Sequence, residues 1–273
     1  METVTLNNGI QMPVLGFGTY QIESVNTKNA VKQAIDAGYR LIDTAQYYGN
    51  EAGVGQAVKE SGISRDQFFI TTKTPLSGYA ETKAGIDESL LEGKMDYYDM
   101  VLIHWPIPDY LDSYVALEDA VKEGKIRAIG VSNFNHEQLQ KVLDKATIKP
   151  VVNQVETHLM WQQQKMHHFL TEHQMVHEAW SPLGQVTETI MGNEVLTSLA
   201  QQYHKTPAQI SLRFLIQEGV VVIPKATHLK YVKENIDLFD FALTDEERKL
   251  LQAQDQRKSL EGWPSAMAME RDY

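Results

Sequence analysis

The chain of 273 residues contains no cysteine, which excludes disulfide bonds, thiol nucleophiles and thiolate metal ligands. It also lacks an apolar run of the roughly 18–20 residues that a membrane-spanning helix needs. The first residues, METVTLNNGI, lack the basic segment followed by an apolar one that marks a secretory signal. We therefore expect a soluble protein of the cytoplasm that does not enter a membrane.

Positive charge is comparatively scarce. There are 25 Lys and Arg residues against 36 Asp and Glu, which gives a net charge of −11 with neutral histidines. An acidic surface repels a phosphate backbone, so a nucleic-acid partner is disfavoured. A phosphorylated small molecule would need a local basic segment, and the residues around Lys225 provide one.

Short apolar segments alternate with longer amphipathic ones along the chain. Eight segments rich in Val, Ile and Phe are typical of strands buried on both faces: 15–20, 40–45, 68–73, 99–106, 126–134, 150–157, 175–184 and 219–226. Helical patterns separate them, and this strict alternation indicates parallel β-α-β units. Because no linker interrupts the pattern, we predict an α/β protein with one domain, residues 1–273, folded as a (β/α)₈ TIM barrel.

The two ends of the chain show different patterns. TLNNGIQMP predicts an N-terminal β-hairpin cap with Asn8-Gly9 in its turn. TDEERKLLQAQD predicts a C-terminal helix with Thr244 as its N-cap. The tail that follows is too apolar for a disordered end, and we expect it to cover part of the barrel. A doubly wound sheet is the alternative fold, although GFGTY is not a GxGxxG fingerprint and no helix follows it directly.

Ionisable residues follow three adjacent predicted strands. The second strand ends in Asp43, with Tyr48 in the next loop, the third ends in Lys73 and the fourth in His104. Active sites of (β/α)₈ barrels lie at these carboxyl ends. The later strands end in polar or aromatic residues: Ser132-Asn133, Asn153-Gln154, Trp180-Ser181 and Lys225.

These groups suit proton transfer to a carbonyl oxygen. A tyrosine has a pKa of about 10, and a neighbouring ammonium favours the phenolate, so we expect Lys73 to lower the pKa of Tyr48. Asp43 supplies the counter-charge for Lys73. His104 can donate a hydrogen bond that holds the carbonyl oxygen against Tyr48. A carbonyl carbon that becomes an alcohol must receive a hydride, which requires a nicotinamide cofactor.

The motifs LIDTAQYYGNE, ITTK, VLIHWP, GVSNF, NQVE, AWSPLG and VVIPK occur in the order and spacing of the aldo-keto reductase superfamily. The chain resembles its prokaryotic, short-loop members, such as the 2,5-diketogluconate and glyoxal reductases, from about residue 9 to about residue 255. The resemblance implies a TIM barrel and NADPH-dependent reduction of aldehydes and ketones. It also implies a catalytic tetrad of Asp43, Tyr48, Lys73 and His104, with Tyr48 as the general acid.

The resemblance further implies a set of cofactor contacts. Ser132, Asn133 and Gln154 match the residues that hold the nicotinamide carboxamide, and Trp180 matches the aromatic residue on which the ring stacks. Ser181 and Leu183 begin the loop along the pyrophosphate. The residues expected around the adenosine phosphate are Lys225, Thr227 and Asn235.

The adenosine segment, PKATHLKYVKEN, departs from the family pattern. Ala226 and Tyr231 stand where relatives carry a serine and an arginine that grip the 2′-phosphate. A planar guanidinium binds a phosphate better than a point charge does. Thr227, His228 and Lys230 compensate only in part. We therefore predict NADPH as the preferred cofactor, with weakened discrimination against NADH.

The substrate pocket is expected to have apolar walls around the polar tetrad. Its predicted lining residues are Tyr20, Tyr47, Trp105 and Trp263. The segment after the fourth strand, IPDYLDSY, is short and suggests an open pocket that accepts small aldehydes, dicarbonyls and keto esters. The resemblance also implies a monomer.

Three other functions are compatible with parts of the sequence. A Schiff-base aldolase would need a Lys73 of depressed pKa, which Asp43 opposes. Some relatives of the family are channel subunits that bind cofactor, although this chain lacks a long N-terminal extension for docking. A metal hydrolase is disfavoured because His167, His168, His173 and His177 lie on or just after one helix and no HExxH motif occurs. We expect no bound metal.

Overall fold

The computed structural model describes residues 2–261, in which eight parallel strands form a nearly closed barrel behind a small antiparallel hairpin. The hairpin strands are β1 (Thr3–Thr5) and β2 (Gln11–Pro13). The barrel strands are β3 (Gly16–Gly18), β4 (Leu41–Asp43), β5 (Phe69–Thr74), β6 (Met100–Ile103), β7 (Ile129–Ser132), β8 (Val152–Glu156), β9 (Val176–Trp180) and β10 (Val221–Val222). Seven of them lie within the segments that the apolar pattern predicts, and β5 extends one residue beyond its segment, to Thr74.

The barrel strands pair in chain order from β3 to β10. The last strand then returns to the first: the Val222 N–H donates to Val14 O over 3.0 Å, and the Gly18 N–H donates to Pro224 O over 3.2 Å. This return confirms the (β/α)₈ barrel and rules out the open, doubly wound sheet. The assignment of residues 1–273 to one domain stays a prediction.

Helices surround the barrel. They are α1 (Ser24–Ala37), α2 (Glu51–Glu60), α3 (Tyr79–Gly93), α4 (Tyr110–Lys122), α5 (His136–Lys145), α6 (Gln164–Glu172), α7 (Glu188–Met191), α8 (Glu194–Tyr203), α9 (Pro207–Gln217), α10 (Leu229–Ile236) and α11 (Asp245–Gln252). The sequence pattern predicts all of them except α7, α8 and α10, because it assigns one helix to each strand and these are additional. None of the helices within residues 2–261 combines the length and apolarity of a membrane crossing.

Local signals set several helix ends. Helix α1 stops at Gly38, whose φ of 112° belongs to the left-handed region that glycine enters without strain. Thr244 is the N-cap of helix α11: its side chain accepts from the Glu247 N–H, and the Glu247 carboxylate accepts from the Thr244 N–H. The predicted N-cap is therefore confirmed. Residues 262–273, which include Trp263, lie outside the described part of the chain.

The inside of the barrel is apolar at one end and polar at the other. Leu41, Phe69, Leu102 and Val152 belong to a buried apolar cluster that the hairpin closes with Leu6 and Met12. Since side chains alternate along a strand, the polar residues two or four positions further along point into the same interior. On the four strands β4, β5, β8 and β9 these polar interior residues are Asp43, Thr71 and Lys73, Gln154, and Glu178. The fold therefore gathers polar side chains at the carboxyl ends of the strands.

Candidate active site

A cavity of about 850 Å³ opens at the carboxyl ends of the barrel strands. Asp43, Tyr48 and His104 line it, and Lys73 lies buried beneath them. Lys73 Nζ donates to Asp43 Oδ1 over 2.5 Å, to Thr44 O over 3.1 Å and to the Tyr48 hydroxyl oxygen over 3.3 Å. The structure thus brings the four residues singled out from the sequence to one place. Because Lys73 donates to the phenol oxygen, the hydroxyl hydrogen of Tyr48 is left for the cavity.

A buried asparagine holds the loop that carries Tyr48. Asn50 Oδ1 accepts from Thr44 Oγ1 over 2.6 Å, and its amide nitrogen donates to Thr19 O and Ile22 O. Gly49, with a φ of 62°, turns the chain between Tyr48 and Asn50. These contacts tie the loop to the barrel and fix the phenol over Lys73.

The pKa values around Lys73 follow from burial and from close charges. Burial opposes the charge on Lys73, but Asp43 and Tyr48 outweigh it and raise its pKa. Burial also raises the pKa of Asp43, while Lys73 and Gln154 lower it. We take the pair as ionised because Lys73 makes three hydrogen bonds and Asp43 accepts two. A lysine that stays protonated is a poor amine nucleophile, which argues against the Schiff-base alternative.

Lys73 lowers the pKa of Tyr48, as expected, but the net shift of that pKa is upward. Burial raises the pKa of Tyr48, and the opposing effect of Lys73 offsets only part of that rise. Sequence motifs report the neighbouring ammonium but not the extent of desolvation. A phenol with a raised pKa carries its proton at neutral pH, as a proton donor must.

His104 presents a neutral imidazole to the cavity. Burial lowers its pKa well below the usual value, and the charge of Lys73 lowers it further. The ring stacks on Trp105 at 3.7 Å between centroids and lies 5.8 Å from the Tyr48 ring. Its Nδ1 is buried and has no hydrogen-bond partner within residues 2–261. A neutral imidazole has one N–H to donate to an oxygen beside Tyr48.

The predicted carboxamide residues lie next to this group and bond to one another. Asn133 Nδ2 donates to His104 O over 3.1 Å, and Asn133 Oδ1 accepts from Trp180 Nε1 over 2.9 Å. The Ser132 hydroxyl donates to Gln154 O over 2.9 Å. All four side chains line the cavity, so amide, hydroxyl and indole groups stand together beside the tetrad. This mixture fits the flat ring and carboxamide of nicotinamide.

The cavity continues from Trp180 to helix α10. Ser181, Leu183, Lys225, Thr227 and Asn235 all line this arm. The charge of Lys225 and the polar groups of Thr227 and Asn235 suit a phosphorylated cofactor. The two departures from the family pattern lie there as well: Ala226 is buried, and Tyr231 lines the cavity with 48% of its surface exposed.

The structure places three of the four predicted substrate residues at the mouth of the cavity: Tyr20, Tyr47 and Trp105. The Tyr20 ring lies 5.0 Å from that of Tyr48, and the Tyr47 ring lies 5.6 Å from that of Trp105. Tyr47 is 66% exposed, so the mouth is open. The fourth residue, Trp263, lies outside the described residues.

The histidines of the metal-hydrolase alternative lie outside the cavity. His177 Nε2 is 2.8 Å from Thr157 Oγ1, and its Nδ1 is 3.2 Å from His167 Nδ1. His168 pairs with Glu172 on the surface of α6. Within residues 2–261, no group of three or more histidine, aspartate and glutamate side chains has a metal-binding arrangement.

Sequence reasoning missed two glutamates near the site. Glu178 is fully buried on β9 and accepts from Gln154 Nε2 over 3.0 Å. Its signal was a carboxylate inside the apolar strand MVHEAW, two residues before Trp180 and therefore on the same face. Glu261 accepts from Gln185 Nε2 and from the Ser181 hydroxyl, which ties the start of the tail to the loop after β9. That contact joins segments that are distant in sequence, so no local sequence pattern could predict it.

Known proteins resemble this chain along nearly all its length. A sequence model of the aldo/keto reductase family matches residues 14–256. The chain belongs to this family. As an aldo-keto reductase it is an oxidoreductase that acts on small carbonyl compounds with a nicotinamide cofactor. The resemblance identified from the motifs is therefore confirmed.

Individual relatives agree with this assignment. Over 256 residues this aldo-keto reductase is 45% identical to the glyoxal reductase of Bacillus subtilis, covering 92% of each chain. Over 266 residues it is 42% identical to the 9,11-endoperoxide prostaglandin H2 reductase of Trypanosoma cruzi, covering 96% of this chain and 94% of the relative. The crystal structure of a Bombyx mori aldo-keto reductase in complex with NADP superposes with a TM-score of 0.89 at 33% identity, covering 95% of this chain and 94% of that one.

Proposed function

We propose that this aldo-keto reductase reduces small aldehydes, dicarbonyls and keto esters to alcohols with NADPH, and that Tyr48 is the general acid. One observation carries the proposal: a buried, charge-paired Lys73 lies 3.3 Å from the Tyr48 oxygen at the floor of a deep cavity. A phenol placed over an ammonium can release its proton to an oxygen that becomes negative, because the ammonium stabilises the phenolate left behind.

Each member of the tetrad has a separate role in this proposal. Tyr48 gives its proton to the carbonyl oxygen, and Lys73 stabilises the resulting phenolate. Asp43 keeps Lys73 protonated in the buried interior. The neutral His104 donates a hydrogen bond that orients the carbonyl oxygen toward the phenol. The nicotinamide, when bound, supplies the hydride.

The residues that would hold the cofactor follow the arm of the cavity. Ser132, Asn133 and Gln154 would bind the carboxamide, and Trp180 would stack on the ring. Both N–H groups of the Gln154 amide point to carboxyl groups inside the barrel, which turns its oxygen the other way. That oxygen is the atom left to accept from a carboxamide. The pyrophosphate and adenosine would lie along Ser181, Leu183, Lys225, Thr227 and Asn235.

We expect only a weak preference for NADPH over NADH, below a thousandfold in kcat/KM. Losing one charged phosphate contact costs roughly 1–3 kcal/mol, or about five- to 150-fold. Tyr231→Arg is expected to raise the preference by about tenfold or more, since a guanidinium can pair with the 2′-phosphate. Steady-state kinetics with the two cofactors measures both effects.

Tyr79→Arg is the matched control for this experiment, because it adds the same charge on α3, where Tyr79 does not line the cavity. It is expected to leave the cofactor ratio unchanged. A wild-type preference above a thousandfold would refute the weakened discrimination, whichever cofactor the variants favour.

The reaction itself is tested by following the absorbance of reduced nicotinamide against a panel of aldehydes, dicarbonyls and keto esters. Turnover of the smaller members is expected, since the mouth formed by Tyr20, Tyr47 and Trp105 is open. If no member of the panel supported NADPH oxidation, the proposed substrates would be excluded. The monomeric state and the cytoplasmic location stay predictions.

A further inference from the structure

A buried glutamate inside the barrel has no part in the reaction described so far. Glu178 lies in the middle of β9, with Gln154 and Val221 as its register partners on the neighbouring strands. None of its surface is exposed. Its Oε1 is buried without a hydrogen-bond partner within residues 2–261. A buried carboxyl is costly to retain unless a particular contact requires it.

The contact that Glu178 makes leads directly to the cavity. Gln154 Nε2 donates to Asp43 Oδ2 and to Glu178 Oε2, each over 3.0 Å. An amide nitrogen carries two hydrogens, so these two acceptors use both of them. They thereby fix which end of the Gln154 amide faces the cavity. Without Glu178 as an acceptor, only Asp43 would hold the amide in that orientation.

The charged groups that face Glu178 come from two other strands. Asp43 on β4 and Lys73 on β5 carry opposite charges that cancel, while Gln154 on β8 and Val221 on β10 are neutral. On β9 itself, the adjacent His177 bonds away from the interior to Thr157 and His167. Ionised Glu178 would therefore add one uncompensated negative charge to a fully buried interior. Burial, followed by the charge of Asp43, raises the pKa of Glu178 to about 8.

We propose that Glu178 is a positioning residue that, as a neutral carboxyl, orients Gln154 and keeps the barrel interior beneath Tyr48 free of net charge. This inference rests on the proposed function of Tyr48. Once Glu178 loses its proton, the added negative charge disfavours the phenolate that Tyr48 leaves when it donates its proton. Reduction therefore slows as Glu178 ionises, before Tyr48 itself loses its proton, because burial also raises the pKa of Tyr48.

The pH dependence of kcat tests the proposal, with wild type compared to Glu178→Gln under saturating cofactor and carbonyl. Glutamine keeps an oxygen for the Gln154 bond but cannot ionise. Between about pH 7 and about pH 9 the wild-type rate is expected to fall about three- to tenfold more than the rate of the variant. The kcat of the variant is expected to begin its fall on the basic side at a higher pH than the kcat of the wild type.

A second measurement reports the position of Gln154. Glu178→Leu removes the acceptor and is expected to raise the KM for cofactor by about tenfold, while Glu178→Gln restores it to near the wild-type value. Glu51→Gln is the matched control: it replaces another buried glutamate of raised pKa, which bonds to Thr72 and Ser89 outside the barrel interior. It is expected to leave the pH profile and the cofactor KM unchanged.

The free energy of unfolding checks that Glu178 titrates in the folded protein. The pKa of Glu178 is about 8 in the folded state, against an ordinary value of 4.5. Between these two pH values the folded state keeps a proton that the unfolded state has lost. The wild type should therefore lose stability relative to Glu178→Gln as pH rises from about 5 to about 8.

Coincident pH profiles for wild type and Glu178→Gln would overturn the inference, as would a folded Glu178→Gln protein that is inactive at every pH. Tyr48→Phe separates this failure from failure of the proposed function. If Tyr48→Phe keeps the wild-type rate, the role of Tyr48 is wrong and the inference fails with it. If Tyr48→Phe is inactive while the profiles coincide, only the role of Glu178 is wrong.

Discussion

Replacing Tyr48 by phenylalanine is expected to lower kcat for aldehyde reduction by about 10²–10⁴-fold. The substitution removes one oxygen at the floor of the cavity and leaves the ring beside His104 and Tyr20. The carbonyl oxygen then has no phenol to supply its proton, and Lys73 has no phenolate to stabilise. Cofactor affinity should change little, because the predicted cofactor contacts come from other residues. Single-turnover kinetics with NADPH, together with cofactor titration, measures the two quantities separately.

Tyr47→Phe provides the matched control in the same loop. Tyr47 also lines the cavity, but it is largely exposed and Lys73 donates no hydrogen bond to it. Its loss of a hydroxyl is expected to alter kcat by less than about threefold. If Tyr48→Phe retained most of the wild-type rate, or if Tyr47→Phe were the impaired variant, Tyr48 would not be the proton donor.

Replacing Lys73 by methionine is expected to impair both activity and stability. Methionine has a similar length but no charge, so the phenolate of Tyr48 loses its stabilising ammonium and kcat should fall by about 10²-fold or more. Asp43 would remain buried, with only the Gln154 bond to offset its charge. Removing one partner of a buried ion pair costs about 3–5 kcal/mol. Urea unfolding and steady-state kinetics measure the two effects.

The double variant Asp43→Asn/Lys73→Met separates the two effects. It removes both charges and keeps an amide oxygen that can accept from Gln154, so most of the lost stability should return. Activity should not return, because the ammonium is still missing. Lys83→Met, which breaks an exposed pair with Glu123 on the surface, is expected to change neither property appreciably. A double variant that recovered activity together with stability would show that Lys73 matters for folding alone.

The Tyr48 variants and the Lys73 variants test two different parts of the proposed proton transfer. Tyr48→Phe removes the group that donates the proton, whereas Lys73→Met removes the positive charge that stabilises the phenolate formed by proton transfer. Because burial raises the pKa of Tyr48, the ammonium is required mainly after the proton has left. Under the proposed mechanism, Lys73 therefore stabilises the product of proton transfer rather than ionising Tyr48 beforehand. We expect Lys73→Met to lose activity even below neutral pH, where Tyr48 is fully protonated in both proteins.

The sequence by itself determined the order of the elements and the positions of the tetrad. Strand segments such as FFITTK show their burial through composition, and Asp43, Lys73 and His104 each come directly after such a run. In a (β/α)₈ barrel those positions must converge, so local pattern and fold class together locate the site. The helix end at Gly38 and the N-cap at Thr244 were also predictable, because each depends on residues that are close together in sequence.

Only the tertiary structure decided how these groups behave. Gln154 meets Asp43 across 111 positions of sequence, and the two carboxyl groups that it bridges lie on β4 and β9. The raised pKa values of Tyr48 and Glu178 both depend mainly on how deeply the barrel buries these side chains. Desolvation and charge pairing are sums over neighbours that the fold brings together, whereas a sequence pattern reports only neighbours along the chain. For this reason the sequence could predict that these four residues lie together, but not their protonation or their support beneath the cavity.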